Sequence, residues 1–325
     1  MINLRRILCP VDLSKDSFLA LRYANAIAGR YRSTLTVIHV LDNPHYDIPG
    51  AETGAFTFGE VVALYKEERQ EEILDVLRHK GGHAVNVEIV FKEGVPYNEI
   101  TETAREIKAD MIIMSTCTSG THGMLAGCTT EMAVRLAPCP VFSVRTNHDS
   151  EHHEQIENLH DIMDTSSDTK GTILLPTDFS EHSMLASNYA ISLAKEYKAE
   201  LIVLHIVESV AEVSLMSGAE LPSYGTMSVY YDDLVKEAQE RTKRICDMAS
   251  EHGIEVTDRV ICGNPRHEIL NIANSESIDL IVMGTHGRKG FSRFVNGSVA
   301  EAVVRHAPCS ILSVKHPEHD FIDVK

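Results

Sequence analysis

A length of 325 residues is enough for two domains, and 43% hydrophobic with 24% charged residues is ordinary for a soluble globular chain. The formal net charge of −17 argues against a nucleic-acid partner, and the longest apolar runs are too short to cross a membrane. Seven cysteines, an odd number without a C-x-x-C pair, argue against a disulfide framework or a thiolate zinc site. Since no signal-peptide pattern follows Met1, we expect a reduced, cytoplasmic protein.

Each half of the chain alternates short β-branched runs with longer helical patterns. The predicted elements of the first half are strands at 6–11, 34–40, 85–91, 111–115 and 141–144, with helices at 17–30, 60–80, 96–108 and 129–136. Those of the second half are strands at 172–177, 200–207, 255–262, 280–283 and 310–314, with helices at 182–197, 232–252, 265–275 and 299–306. Continuous apolar strands separated by helices predict a parallel sheet covered on both faces, and therefore two doubly wound α/β domains.

The two halves are copies of one sequence pattern. The run Ile7–Ser14 (ILCPVDLS) reappears as Ile173–Ser180 (ILLPTDFS), and Ala137–Val144 reappears as Ala307–Val314. A repeat about half the chain long indicates duplicated domains rather than a solenoid, whose units are shorter. The predicted boundaries are a first domain at 1–147, a linker at 148–170, a second domain at 171–316 and a tail at 317–325.

The linker 148–170 matches neither copy and carries seven carboxylates against Lys170 alone, which predicts a polar, solvated segment. His148 and His152 within it have a spacing that suits a metal on a helix, although acidic segments often hold histidines with no ligand role. The loops 43–58 and 209–231 follow the second strand of each copy, and loops of this length are usually functional or disordered. We predict that they act as flaps over the sheet.

Polar residues follow the first strand of each copy. Asp12 and Ser14, and likewise Asp178 and Ser180, are placed where side-chain oxygens can cap the next helix. Ligands of open parallel sheets bind beyond the carboxyl ends of the strands, so Asp178 could also accept hydrogen bonds from a ribose hydroxyl. Both interpretations are open at this stage.

The second copy has a glycine pattern that the first copy lacks. Gly284 follows the fourth strand, Gly287 comes next, and Gly297 with Ser298 precedes the last helix, which gives G-x2-G-x9-G-S. Glycines let backbone amides approach phosphate oxygens, and a helix N-terminus adds unpaired N–H groups. The cation Arg288 lies inside the pattern. The spacing differs from the usual NTPase and dehydrogenase loops and predicts a nucleotide pocket of another class.

On these residues the chain resembles a tandem universal stress protein, whose strand-one pattern P-[TV]-D-x-S occurs in both copies and whose ATP-binding glycine pattern occurs in the second. The resemblance implies Rossmann-like domains of the adenine nucleotide alpha hydrolase-like type, with strand order 3-2-1-4-5 and internal pairing through the fifth strands or a homodimer. It implies that ATP is held by the second domain and that one aliphatic residue of strand two packs on the adenine. The implied binding residues are Pro176, Thr177, Asp178, Ser180, Ile206, Val207, Met283, Gly284, His286, Gly287, Arg288, Gly297, Ser298 and Val299. Mg²⁺ or Mn²⁺ could accompany the phosphates without a dedicated cage.

The first copy departs from the glycine pattern. Ser115 and Thr118 take the glycine positions, and Cys128 takes the position of the serine. We therefore expect ATP in the second domain and not in the first. Cys128 would lie at a helix N-terminus, where a thiol becomes more reactive, so it is either a redox sensor or a neutral replacement of serine. We expect the repeated strand-two histidines, His39 and His205, to be packed, hydrogen-bonded residues rather than catalysts.

No catalytic constellation of metal ligands or of nucleophile, base and orienting acid stands out in the sequence. This favours an ATP-binding regulatory protein of the stress response, whose nucleotide occupancy biases its conformation or partners. The alternative is a slow ATPase or another nucleotide-dependent enzyme that uses the second-domain site. A third hypothesis, an interaction module that has lost ligand binding, is disfavoured by the intact glycines of the second copy.

Overall fold

The computed structural model describes residues 2–42, 58–78, 86–116, 129–145, 170–208, 224–285, 298–315 and Ile322. These residues fall into two compact units: one contains the described residues from 3 to 145, and the other contains those from 170 to 315 together with Ile2 and Ile322. Within the described ranges, no helix combines the length and the apolar character needed to cross a membrane. The predicted linker, except Lys170, lies outside the described residues, as do most of the two predicted flaps. The predicted domain boundaries therefore stay predictions.

The first half contains a parallel sheet with the strand order β3-β2-β1-β4-β5. Its strands are β1 (Arg6–Pro10), β2 (Thr34–Leu41), β3 (Asn86–Glu93), β4 (Met111–Ser115) and β5 (Val141–Val144). Its helices are α1 (Lys15–Tyr31), α2 (Phe58–Arg78), α3 (Pro96–Glu106) and α4 (Thr129–Leu136). The inner strands β1 and β4 are buried almost throughout, as expected for a parallel sheet between two helical layers.

The second half repeats this arrangement with the strand order β8-β7-β6-β9-β10. Its strands are β6 (Thr172–Pro176), β7 (Glu200–Val207), β8 (Val256–Cys262), β9 (Leu280–Gly284) and β10 (Ser310–Val314). Its helices are α5 (Glu181–Tyr197), α6 (Tyr224–Glu251), α7 (Pro265–Ser275) and α8 (Ser298–His306). The predicted doubly wound, five-stranded parallel α/β fold is confirmed in both halves.

Helix α6 begins at Tyr224 and not at the predicted residue 232. The prediction was wrong because Gly225, Thr226 and Val229 have low helix propensity, which concealed the first turns of the helix. Part of the predicted second flap is therefore helical. This matters for the site, because α6 carries a side chain that contacts the loop after β6.

An aspartate just before the fourth strand fixes the start of the first strand in each half. In the first half, Oδ2 of Asp110 accepts hydrogen bonds from the backbone N–H groups of Arg5 and Arg6, both at 2.8 Å. In the second half, Oδ2 of Asp279 accepts from the N–H of Thr172 at 2.7 Å. The order of the strands reverses between the first and fourth strands, so each aspartate anchors the amino end of the switch point.

Candidate functional site

The loop after β6 lies at the carboxyl end of this switch point. Pro176 is buried in register with Leu204 of β7, and the N–H of Thr177 donates to the carbonyl oxygen of Leu204 at 2.8 Å. The ladder thus continues for one residue beyond the strand, and Asp178 is the first residue after it. Asp178 is half-buried, whereas the equivalent Asp12 of the first half is exposed.

The capping interpretation of the strand-one motif is confirmed in both halves. Ser180 is the N-cap of α5, because its Oγ accepts from the N–H of Ser183 at 3.3 Å. Oδ1 of Asp178 in turn accepts from the N–H of Ser180 at 3.0 Å. In the first half, Ser14 caps α1 and its N–H donates to Oδ1 of Asp12, also at 3.0 Å. These contacts orient both carboxylates from the backbone side.

The Asp12 carboxylate titrates below its usual range. Partial removal from water would by itself raise its pKa, but hydrogen bonds from Ser14 and Ser17 to the charged form outweigh that effect and lower the pKa. The strand-one turn of the first half therefore stabilises a negatively charged aspartate.

Thr177 adds a hydrogen-bond network to the second-half turn. Its buried Oγ1 accepts from the N–H of Phe179 at 3.0 Å and donates to Oγ of Ser183 at 3.1 Å. The first half has Val11 at this position and cannot form the same bonds. The sequence predicted Thr177 as a binding residue and did not reveal this structural role, although the change from valine to threonine between the copies was a visible signal.

Gly284 brings the two parts of the predicted site into contact. A Cβ at this residue would lie 2.9 Å from the carbonyl carbon of His182 and 2.9 Å from the amide nitrogen of Ser183. The end of β9 therefore packs directly against the first turn of α5, and only a residue without a side chain fits. This close packing is a sufficient reason for a glycine here, and its contact with phosphate stays a prediction.

The structure distinguishes the two aliphatic candidates of strand two. Ile206 belongs to a buried cluster that includes Met283 at the end of β9, and Val299 in the first turn of α8 packs against the same cluster. Val207 is also buried but is not part of that cluster, since successive residues of a strand point to opposite faces of the sheet. Of the two, Ile206 is the one that shares a face with Met283 and Val299.

The phosphate-binding part of the prediction is only partly within the described residues. Helix α8 begins at Ser298, as the motif requires, and for Ser298 only the backbone is described. The other predicted phosphate residues, which are His286, Gly287, Arg288 and Gly297, lie outside the described residues.

In the first half, the end of β4 is tied to the first turn of α4. Oγ1 of the buried Thr130 donates to the carbonyl oxygen of Ser115 at 2.9 Å. The equivalent residue of the second half is Ala300, which has no hydroxyl group. Thr118 and Cys128, which replace the motif residues, lie outside the described residues.

The strand-two histidines are packed and hydrogen-bonded, as expected. Nδ1 of His39 lies 2.8 Å from the carbonyl oxygen of Val11, and Nδ1 of His205 lies 2.8 Å from that of Thr177. A carbonyl oxygen can only accept, so Nδ1 carries the hydrogen in both residues. Each histidine thereby ties strand two to the turn after strand one.

Within the described part of the chain, no group of three or more His, Cys, Asp or Glu side chains is arranged to hold a metal ion. The linker residues His148 and His152 are outside it. The described cysteines are free thiols, and burial together with the nearby Asp258 and Asp247 raises the pKa of Cys246 to about 11. That thiol is therefore protonated and unreactive at neutral pH.

Comparison with known proteins agrees with the fold and the motifs. A universal stress protein of Methanocaldococcus jannaschii is 36% identical over 162 residues, which cover 50% of this chain and 92% of that protein. One of Bacillus subtilis is 31% identical over 144 residues, which cover 44% and 97%. The crystal structure of a universal stress protein from Archaeoglobus fulgidus, 20% identical, covers 96% of this chain and 98% of its own with a TM-score of 0.58, which supports the fold. The model of the universal stress protein family matches residues 3–145 and 170–315, so the chain belongs to this family and carries its domain twice in tandem.

Proposed function

We propose that the second domain binds ATP and that nucleotide occupancy regulates this protein in a stress response. The observation that carries the proposal is the contact between two distant parts of the family's ATP motif. The turn from Pro176 to Ser180 caps α5, and Gly284 packs against the first turn of that same helix. Both parts lie at the switch point of an open parallel sheet, where such folds bind their ligands.

The described residues suit the nucleoside end of ATP. The half-buried Asp178 carboxylate is oriented by the N–H of Ser180 and can accept hydrogen bonds from ribose hydroxyls. Ile206 and Met283 are largely buried in one apolar cluster, and the partly buried Val299 packs against it, so an adenine ring would meet the edge of an apolar surface on this side of the sheet. Pro176 and Thr177 complete the turn, while Val207 faces away from this surface.

The phosphate end of the site follows from the sequence motif. Gly287, Gly297, Ser298 and the cation Arg288, together with the N-terminus of α8, would hold the negative charge. Because the described residues offer no carboxylate cage for a cation, Mg²⁺ or Mn²⁺ would be bound through the phosphates themselves. The cytoplasmic location, the absence of a nucleic-acid partner and the pairing of the domains through β5 and β10 stay predictions.

Titration calorimetry of the full chain with ATP and Mg²⁺ tests the proposal. We expect one site per chain. Gly297→Leu should abolish it by filling the space needed by the phosphates. The matched control Gly127→Leu, at the equivalent glycine of the first half, should leave ATP binding unchanged. Loss of binding in the control variant, or retention in Gly297→Leu, would contradict the assignment to the second domain.

Chromatography of the same samples separates binding from hydrolysis. ATP that remains intact over hours supports a nucleotide-binding switch. Steady conversion to ADP would make the slow ATPase the better description of the same site. Absence of any binding by the wild-type chain would leave the third hypothesis, a pure interaction module.

A further inference from the structure

Three side chains of the second half form a stacked column beside the strand-one turn. The rings of Phe179 and His205 have their centroids 4.4 Å apart and an interplanar angle of 27°. The guanidinium carbon of Arg241, on α6, lies 4.4 Å from the centroid of the Phe179 ring. Phe179 is thus held by ring stacking with a strand residue and by a cation–π contact with a helix residue.

The column fixes both chain neighbours of Asp178. His205 donates from Nδ1 to the carbonyl oxygen of Thr177, the residue before Asp178, at 2.8 Å. Its ring stacks on Phe179, the residue after Asp178. A single side chain of β7 therefore contacts the backbone on one side of the aspartate and the side chain on the other. These two contacts restrict the movement of the turn that carries the Asp178 carboxylate.

The backbone of the turn is in an uncommon conformation. Phe179 has a φ of 60°, the left-handed conformation that residues with a Cβ adopt at an energetic cost. Its N–H is bonded to Oγ1 of Thr177 at 3.0 Å, and its ring is held by His205 and Arg241. These contacts restrain the side chain and the N–H of a residue whose backbone is already in a costly conformation.

The first half contains the same kind of column, built from other positions. The rings of His39 and Tyr65 are stacked with centroids 6.3 Å apart, and the guanidinium carbon of Arg69 lies 5.1 Å from the centroid of the Tyr65 ring. Arg69 and Arg241 occupy equivalent places, each four residues before a fully buried isoleucine of its helix. The histidine and the arginine are thus shared by both halves, and only the aromatic residue has changed position.

This change of position alters what the column holds. In the first half the aromatic ring comes from α2, so the column joins β2 to a helix. The residue after Asp12 is Leu13, which shares the left-handed φ, at 66°, and has no ring to stack. In the second half the ring belongs to the turn itself. The column therefore includes a ring of the turn itself only in the half that keeps the ATP motif, whereas in both halves its histidine bonds to the carbonyl oxygen before the aspartate.

We propose that His205, Phe179 and Arg241 form a positioning clamp that holds the Asp178 carboxylate where a ribose hydroxyl of the nucleotide requires it. The inference rests on the proposed ATP site and adds a function for residues outside the family motif. Phe179 is a positioning residue, because it acts on the nucleotide through the Asp178 carboxylate that it helps to hold in place. The clamp requires an aromatic ring at residue 179. The first half has an apolar side chain, Leu13, at the equivalent position, and that side chain cannot stack on a histidine.

The test compares ATP with 2′,3′-dideoxy-ATP in calorimetric titrations of the full chain. The wild type should prefer ATP about tenfold, the value of one well-placed charged hydrogen bond. Phe179→Leu copies the first half and should weaken ATP binding about tenfold while leaving the affinity for the dideoxy nucleotide nearly unchanged. Phe179→Tyr keeps the ring and should restore the preference to within about twofold of the wild type.

Arg241→Met removes the cation and keeps an unbranched side chain, so it should reduce the preference for ATP about threefold. Its matched control is Arg69→Met in the first half, which should not change either affinity. Equal weakening of both nucleotides in Phe179→Leu would indicate a general structural defect and overturn the clamp, as would an unchanged preference. Failure of the wild type to bind ATP is a different result, because it removes the proposed ATP site itself.

Discussion

The two halves of this chain form the same turn after their first strand and support it differently. In both halves an aspartate accepts a hydrogen bond from the backbone, a serine caps the helix and the residue between them is left-handed. The second half adds the Thr177 network and the ring of Phe179, where the first half has Val11 and Leu13. Helix capping therefore accounts for what is common to the copies, and the additional contacts are confined to the half with the ATP motif.

The end of the fourth strand differs in the same way. Gly284 lets β9 meet the first turn of α5 at a distance that excludes a Cβ. In the first half Ser115 carries a Cβ, and its carbonyl oxygen accepts a hydrogen bond from Oγ1 of Thr130 in α4. A duplicated fold can thus keep its sheet and its caps while the space at its switch point changes.

The largest effect on stability should come from Gly284→Ala. The new Cβ would meet backbone atoms of His182 and Ser183, which cannot move without disturbing α5, so we expect a loss of about 2–3 kcal/mol. The control Ser115→Ala should change stability by less than about 0.5 kcal/mol, because the first half already accommodates a Cβ there. Differential scanning calorimetry of both variants measures the contrast. Equal melting behaviour of the two variants would contradict the close-packing explanation for Gly284.

A smaller effect is expected when the turns are exchanged by Thr177→Val. The substitution is nearly isosteric and removes the bonds to Phe179 and Ser183, so the second half should lose about 1–2 kcal/mol. The reciprocal change Val11→Thr tests whether the first-half turn can form the network. It should be close to neutral if the new hydroxyl bonds to Ser17, and clearly destabilising if it does not. A neutral Thr177→Val variant in thermal unfolding would show that the network has no energetic value.

The fold could be predicted from the sequence because the apolar strands and helical patterns repeat in the same order in both halves. The caps at Ser14 and Ser180 were also predictable, since an Asp-x-Ser motif before a helical pattern has few alternatives. The start of α6 was not, because Gly225 and Thr226 disfavour a helix unless other contacts stabilise it.

The sequence provides a list of candidate site residues, whose binding role stays a prediction, but it does not provide the packing of those residues. Gly284 fits the ATP motif, yet its packing against His182 joins the end of β9 to a helix residue 102 positions earlier in the sequence. The column of His205, Phe179 and Arg241 joins three separate elements, so no local pattern reveals it. The finding that Ile206, and not Val207, shares a face with Met283 required the faces of β7 to be known.

The smallest predicted effect concerns pH and the first-half turn. The pKa of Asp12 is lower in the folded chain than its ordinary value of 3.8, because the hydrogen bonds from Ser14 and Ser17 outweigh partial desolvation. The charged form therefore stabilises the fold above the unfolded-state pKa, and this stabilisation is lost as the pH falls through the folded-state pKa. Asp12→Asn keeps an acceptor oxygen and removes the charge, so it should cost at most about 1 kcal/mol at pH 7, because the site is exposed. Thermal unfolding of both proteins should give a difference at pH 7 that persists at pH 5 and shrinks as the pH falls below the ordinary pKa of 3.8. A difference that grows on acidification would mean that the turn favours the protonated carboxyl group, which is the opposite sign.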